Sequence, residues 1–156
     1  MSENRPPHLI HPDGVDAWLA DSAVRVVTYH NTDQRSAAAI LRDGVSINRS
    51  WTGSYGQGFY TASVPDPFFG EFELTAAVKL RSPMIGDAEE LGPYIDRLTY
   101  RFDPVTRLLT PRVAALIRRE LLSEGYDGLV VYNAGGDGTD YIIALIAESV
   151  RIVVDR

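Results

Sequence analysis

The chain has no cysteine and only three histidines, two methionines and two tryptophans. Without cysteine there is no disulfide, no thiolate nucleophile and no cysteine-ligated zinc. Two of the histidines, His8 and His11, stand in a polar, proline-containing N-terminal stretch, so a histidine-built metal site is not expected. No apolar run approaches the ~20 residues of a membrane helix. The first residues, MSENRPPHLI, do not follow the charged-then-apolar plan of a signal peptide. The expectation is a cytoplasmic protein, or one delivered to the cytosol of a target cell without a signal sequence, and no membrane partner. Positive charge is also short. Fifteen Lys and Arg against 21 Asp and Glu leave a net charge of -6, which excludes a broad sequence-independent grip on nucleic acid. Arg112, Arg118 and Arg119 read as a solvated helix face rather than a basic patch. No Gly-Lys-Ser/Thr phosphate loop and no Gly-x-Ser-x-Gly nucleophile elbow occur.

What is present suits one globular domain. The chain has 156 residues, 45% hydrophobic and 23% charged, enough to bury roughly two thirds of its unfolded surface. Residues 1–10 read as a flexible arm and 11–156 as a single domain. The pattern predicts a short helix with Val15, Trp18 and Leu19 inward, then a strand over Ala23–His30. A helix capped by Thr32 or Asp33 follows, with Ala38, Ile40 and Leu41 on its core face and Gly44 at its end. A loop over residues 45–56, a short strand in GFYTAS and a strand in FELTAAVKLRSPM ended by Pro83 come next. A short helix is expected over Ala88–Asp96. The clearest helix runs from the Thr110 cap and Pro111 to Gly125, with Val113, Leu116, Ile117 and Leu121 as its stripe. GLVVY, DYIIALI and SVRIVVD read as three strands. The order implies an α+β fold with antiparallel sheet toward the C-terminus.

The stretch GSYGQGFYTAS, Gly53 to Ser63, raises the question of a nucleotide. Its glycines follow G-x-x-G-x-G and lead into β-type residues, so the loop opens no helix and is neither a dinucleotide fingerprint nor a P-loop. A turn with a bulge is the alternative at this point. Three polar groups stand at strand edges beside loops: His30, Tyr60 and Asp140. Such edges are where ligand clefts form.

YHNT, GQGFYTAS and GTDYIIALIAESVRIV, in this order, resemble the signature segments of the ADP-ribosyltransferase superfamily, in the branch with a His-Tyr-acid triad. AVKLRSPMIGD and LLSEGYDGLVV are similar to further segments of small bacterial toxin-like and phage-associated members, and the resemblance spans about residues 24–153. It implies split, mixed or antiparallel sheets with flanking helices, and NAD as substrate with no metal. It implies cleavage of the nicotinamide–ribose bond and transfer of ADP-ribose to a macromolecule, with protein favoured over nucleic acid by the acidic balance. Under this resemblance Asp140 stabilises the developing ribose charge, Tyr60 stacks on nicotinamide, and His30 bonds ribose hydroxyls. Asn31 stands where many members carry Gly and would offer its backbone to the amide. Thr32, Gly58 and Tyr55 complete the implied binding set, and Gly138 stands where arginine-modifying members carry Glu or Gln. Asp127 and Asp137 are the rival acids, the first as a strand lead-in and the second as part of a glycine-rich loop. A toxin or effector role with an inhibitor or immunity partner fits the same resemblance. The alternatives are an inactive NAD- or partner-binding module of the same fold, and an NAD glycohydrolase.

Overall fold

The computed structural model describes residues 5–49 and 52–155. Residues 1–4 of the expected arm, and Ser50 and Trp51 of the expected loop, lie outside the described residues. The architecture is α+β, an eight-stranded mixed sheet with helices on both faces. The strands are β1 (Leu9–Ile10), β2 (Thr28–Thr32), β5 (Phe59–Ala62), β6 (Phe72–Val78), β7 (Pro83–Asp87), β8 (Gly128–Tyr132), β9 (Tyr141–Ala144) and β10 (Val150–Val153). They lie in the order β1-β10-β6-β2-β5-β9-β8-β7. A separate hairpin pairs β3 (Thr52–Gly53) with β4 (Gly56–Gln57). The helices are α1 (Val15–Trp18), α2 (Gln34–Asp43), α3 (Ala88–Phe102) and α4 (Pro111–Ser123).

Side-chain alternation along the strands divides the core. Leu74, Ala76, Val78, Phe59 and Ile142 point to one face and pack with Ala37 and Ile40 of α2. On the other face, Leu129, Val131 and Ile143 meet Leu91, Ile95 and Leu98 of α3 and Val113, Ile117 and Leu121 of α4. Ala77 joins Val15, Leu19 and Trp18 on that second face at the β1 end. Strand β8 is covered on both sides, which explains its unbroken run Gly128–Leu129–Val130–Val131. Its parallel partner β7 is reached through α3 and α4, the crossover that parallel pairing requires.

Several elements differ from the sequence expectation. Leu9 and Ile10 of the expected arm form the edge strand β1, parallel to Ile152 and Val153. Residues 23–27 are not strand, and β2 begins at Thr28 and runs on to Thr32. Asp33, not Thr32, caps α2, its carboxylate accepting from the Ser36 N–H at 2.7 Å. Ala37 and Ile40 face the core, whereas Ala38 and Leu41 are exposed. Pro83 opens β7 instead of ending β6, a position that needs no donor from it. Helix α3 continues six residues past Asp96 despite Gly92 and Pro93. A reciprocal Asp87–Glu90 capping box starts it, and burial of Leu91, Ile95 and Leu98 offsets the ~1 and ~3 kcal/mol propensity costs of Gly and Pro. Strand β10 pairs antiparallel with β6. Helix α4 keeps its expected cap, with Val113, Ile117 and Leu121 buried and Ala114 rather than Leu116 as the fourth buried position, and is closed by Gly125 at φ +94 with Gly125 N–H to Leu122 O and Tyr126 N–H to Leu121 O, both 3.0 Å.

Candidate functional site

The sheet brings His30, Tyr60 and Asp140 to three adjacent strands, β2, β5 and the start of β9. Strands β2 and β5 meet at a single register pair, Tyr29 with Ala62. A buried hydroxyl pair supports that junction, with Thr28 Oγ1 donating to Thr61 Oγ1 at 2.8 Å and Thr61 Oγ1 to Ile142 O at 2.7 Å. Beyond it, the His30 ring takes the Tyr60 carbonyl, Nδ1 to O at 2.7 Å. A carbonyl only accepts, so Nδ1 carries the proton and Nε2 of the neutral ring is left as an acceptor. Burial lowers the His30 pKa below its ordinary 6.5, and the bond to Tyr60 opposes that shift only in part.

A folded-state pKa below the unfolded value means that the unfolded chain binds the extra proton first. Stability contributed by neutral His30 is therefore complete above pH ~6.5 and declines as pH falls from there toward the lower folded pKa. Urea titrations at pH 7 and pH 5 should show this loss in the wild type and a smaller one in His30→Asn, whose amide nitrogen can replace Nδ1 as donor. An equal loss in both would remove His30 from the pH dependence.

Tyr60 is held by the hairpin that precedes it. Its hydroxyl donates to Gly56 O at 2.7 Å and accepts from Tyr55 N–H at 3.0 Å. Burial pushes its pKa far above the ordinary range, so the phenol stays neutral and offers an aromatic surface, not a proton. Tyr141 meets it edge-on at 6.3 Å. The glycines of GSYGQGF answer to this packing. A Cβ on Gly53 would stand 2.4 Å from Tyr60 Cζ, and one on Gly58 would stand 2.6 Å from Ile143 Cγ2. Gly56 has φ +100 and lies against Ile117 of α4. Tyr55, expected to line a pocket, is 7% exposed and packs in the second core cluster.

Asp140 is fixed at the other edge of β5. Its N–H donates to Ser63 Oγ at 3.0 Å, and Ser63 N–H donates to Asp140 O at 2.9 Å. Its carboxylate Oδ1 accepts from Asn133 N–H at 2.9 Å, at a residue with φ +51. Oδ2 has no hydrogen bond within the described residues. The rival acids are occupied differently. Asp127 accepts from the Arg81 and Ser82 N–H groups at 2.8 and 3.1 Å, tying β8 to the β6–β7 connection. Asp137 accepts from Thr139 N–H within its own loop.

The three side chains do not share one face. The His30 ring stacks on Phe59 at 4.3 Å, and Phe59 and Tyr60, as strand neighbours, point oppositely. A ligand touching both rings must lie where β2 and β5 part. Asn31, expected to offer its backbone, uses its side chain as a clamp. Nδ2 donates to Gly70 O at 3.2 Å and Oδ1 accepts from Asp66 N–H at 2.9 Å. This anchors the loop of residues 63–71 over β2, and Gly70 sits so close to the Thr32 backbone that a Cβ would stand 2.2 Å from its carbonyl carbon. That loop carries Phe68 and Phe69, which the sequence reading passed over. Two aromatics after Asp-Pro, outside any strand period, were the available signal. Tyr141 was likewise missed. Burial raises its pKa, and the charges of Asp66 and Asp137 raise it further.

An open pocket of about 290 Å³ lies at the far end of β9, lined by Val45, Asn48, Arg118, Ile146 and Glu148. Asp140 and Ile146 stand beyond opposite ends of that strand, at most about 20 Å apart at 3.3 Å per residue. Arg118 is half buried rather than solvated, its Nε donating to Leu145 O at 2.7 Å and its pKa lowered by burial. Among the described residues no group of three or more His, Asp or Glu could hold a metal ion, and no helix is long and apolar enough to cross a membrane. No protein-family model matches the chain, and no curated protein matches it significantly.

Proposed function

We propose that this chain is an NAD-dependent mono-ADP-ribosyltransferase of the His-Tyr-acid branch, with β2 and β5 as the split in its sheet. The observation that supports this most is the convergence of His30, Tyr60 and Asp140, distant in sequence, on adjacent strands around a one-pair junction. In this reading the C1′–N bond of the nicotinamide ribose breaks with its electron pair leaving on nicotinamide, whose positive charge is thereby neutralised. The ribose becomes oxocarbenium-like. The free Oδ2 of Asp140 faces that charge and holds a ribose hydroxyl. His30 Nε2 accepts from another hydroxyl, and the Tyr60 ring receives the cationic nicotinamide. A nucleophile of the acceptor, a protein in this reading, attacks C1′ and loses its proton.

The test is nicotinamide release from NAD by the purified protein, with and without cell lysate. Release that requires lysate, with ADP-ribose covalently on a lysate protein, is the expected result. Release without lysate would make it a glycohydrolase. NAD binding without release would make it an inactive binding module, and no binding would overturn the reading.

A further inference from the structure

We propose that the loop of residues 63–71 and the carboxylates around it form a docking surface for a basic, apolar polypeptide segment. Phe68 is 88% exposed, Phe69 51% and Val64 50%. The two phenyl rings meet edge-on, 5.4 Å apart at 85°. Large apolar side chains grouped in the open mark an interaction surface. The loop is fixed from below. Asn31 holds it by two hydrogen bonds, Gly70 rests on the Thr32 backbone, and Asp66 Oδ1 accepts from Phe68 N–H at 3.0 Å. A partner therefore meets a preset surface and loses little freedom in ordering it.

Charge identifies the occupant. Asp66, Glu71 and Glu73 border the phenylalanines in the chain, the charges of Asp66 and Asp137 both act on Tyr141, and Asp140 is tied to Ser63 at the start of the loop. None of these five carboxylates forms an ion pair among the described residues. Residues 53–78 and 126–150, which hold all five carboxylates, contain no Lys, Arg or His. A nucleic acid or an anionic lipid surface would be repelled here. A polypeptide that places apolar side chains on Phe68 and Phe69 and Lys or Arg against the rim satisfies both features. The surface stands without the transferase reading, but its role as the acceptor's docking site rests on that reading.

The test measures fluorescence anisotropy of a short labelled lysine–leucine peptide titrated with the whole chain at physiological ionic strength. The comparison probes are a glutamate–leucine peptide and oligothymidine. The lysine–leucine peptide should bind tightest. The double variant Phe68→Ser, Phe69→Ser should weaken it by about tenfold or more, and the double variant Glu71→Lys, Glu73→Lys should do the same. Glu89→Lys, on the first turn of α3, should leave binding unchanged and so separates this surface from general acidity. Equal binding by all variants, or oligothymidine or the acidic peptide binding as well, would overturn the proposal. Nicotinamide release from NAD in the presence of cell lysate, measured on the same proteins, is a second readout. If peptide binding is lost in the Phe68/Phe69 variant and even the wild type never cleaves NAD, the docking surface stands and the transferase reading falls.

Discussion

Asp140→Asn should lower nicotinamide release by about 100- to 1,000-fold, the range seen when a preorganised electrostatic group is taken from a developing charge. The substitution is chosen because of what Asp140 does in the fold. Its Oδ1 accepts from Asn133 N–H and its backbone pairs with Ser63. An asparagine keeps an oxygen for Asn133 and removes only the charge, so unfolding free energy should change by no more than about 0.5 kcal/mol. Alanine would remove both and mix a loosened loop with a lost charge. Asp127→Asn provides the contrast. That carboxylate holds two backbone N–H groups, so the variant should lose about 1–2 kcal/mol of stability with its activity per folded molecule intact. If both variants lost activity alike, Asp140 would have no special place.

Ile117→Ala should cost about 2–5 kcal/mol of stability, read from urea or thermal unfolding. Ile117 is fully buried at the centre of the α4 stripe, among Leu121, Leu129 and Ile143. It also supports the hairpin. Its Cγ2 lies 3.1 Å from the place a Cβ would take on Gly56, and Gly56 O is the acceptor for the Tyr60 hydroxyl. The cavity should therefore loosen the Tyr60 ring as well as the core. Val105→Ala, at a side chain 88% exposed, should change stability by less than about 0.5 kcal/mol. Similar costs at both positions would contradict the packing described for α4.

Elements whose local signals agree with their burial were legible in the sequence. Helix α4 carries its cap, its N-terminal proline, a single stripe and its closing glycine in the right order, and β8 and β9 are short apolar runs between turn residues. The misread elements are those where distant contacts outweigh local signals. The helix expected over Ala88–Asp96 runs on to Phe102, because Leu98 beyond that stretch is buried along with Ile95. Leu9 and Ile10 become a strand only because β10 lies beside them. At the candidate site, residue types at strand ends pointed to His30, Tyr60 and Asp140, and the register places them on adjacent strands. Which way each ring points was not legible, because it depends on where β2 and β5 part. The clamp by Asn31 on a loop following β5 is a tertiary contact that no spacing rule announces. The glycines around Tyr60 looked like room for a ligand, but Tyr60, Ile143 and Ile117 already occupy the space beside them.

The most direct test of the account is a crystal structure of the Asp140→Asn protein with NAD. The nicotinamide ribose should lie in the opening between β2 and β5, with a hydroxyl on residue 140, another on His30 Nε2, and the nicotinamide against Tyr60. NAD seated instead in the pocket of Val45, Asn48, Arg118 and Glu148, or absent from the crystal at saturating concentration, would contradict it.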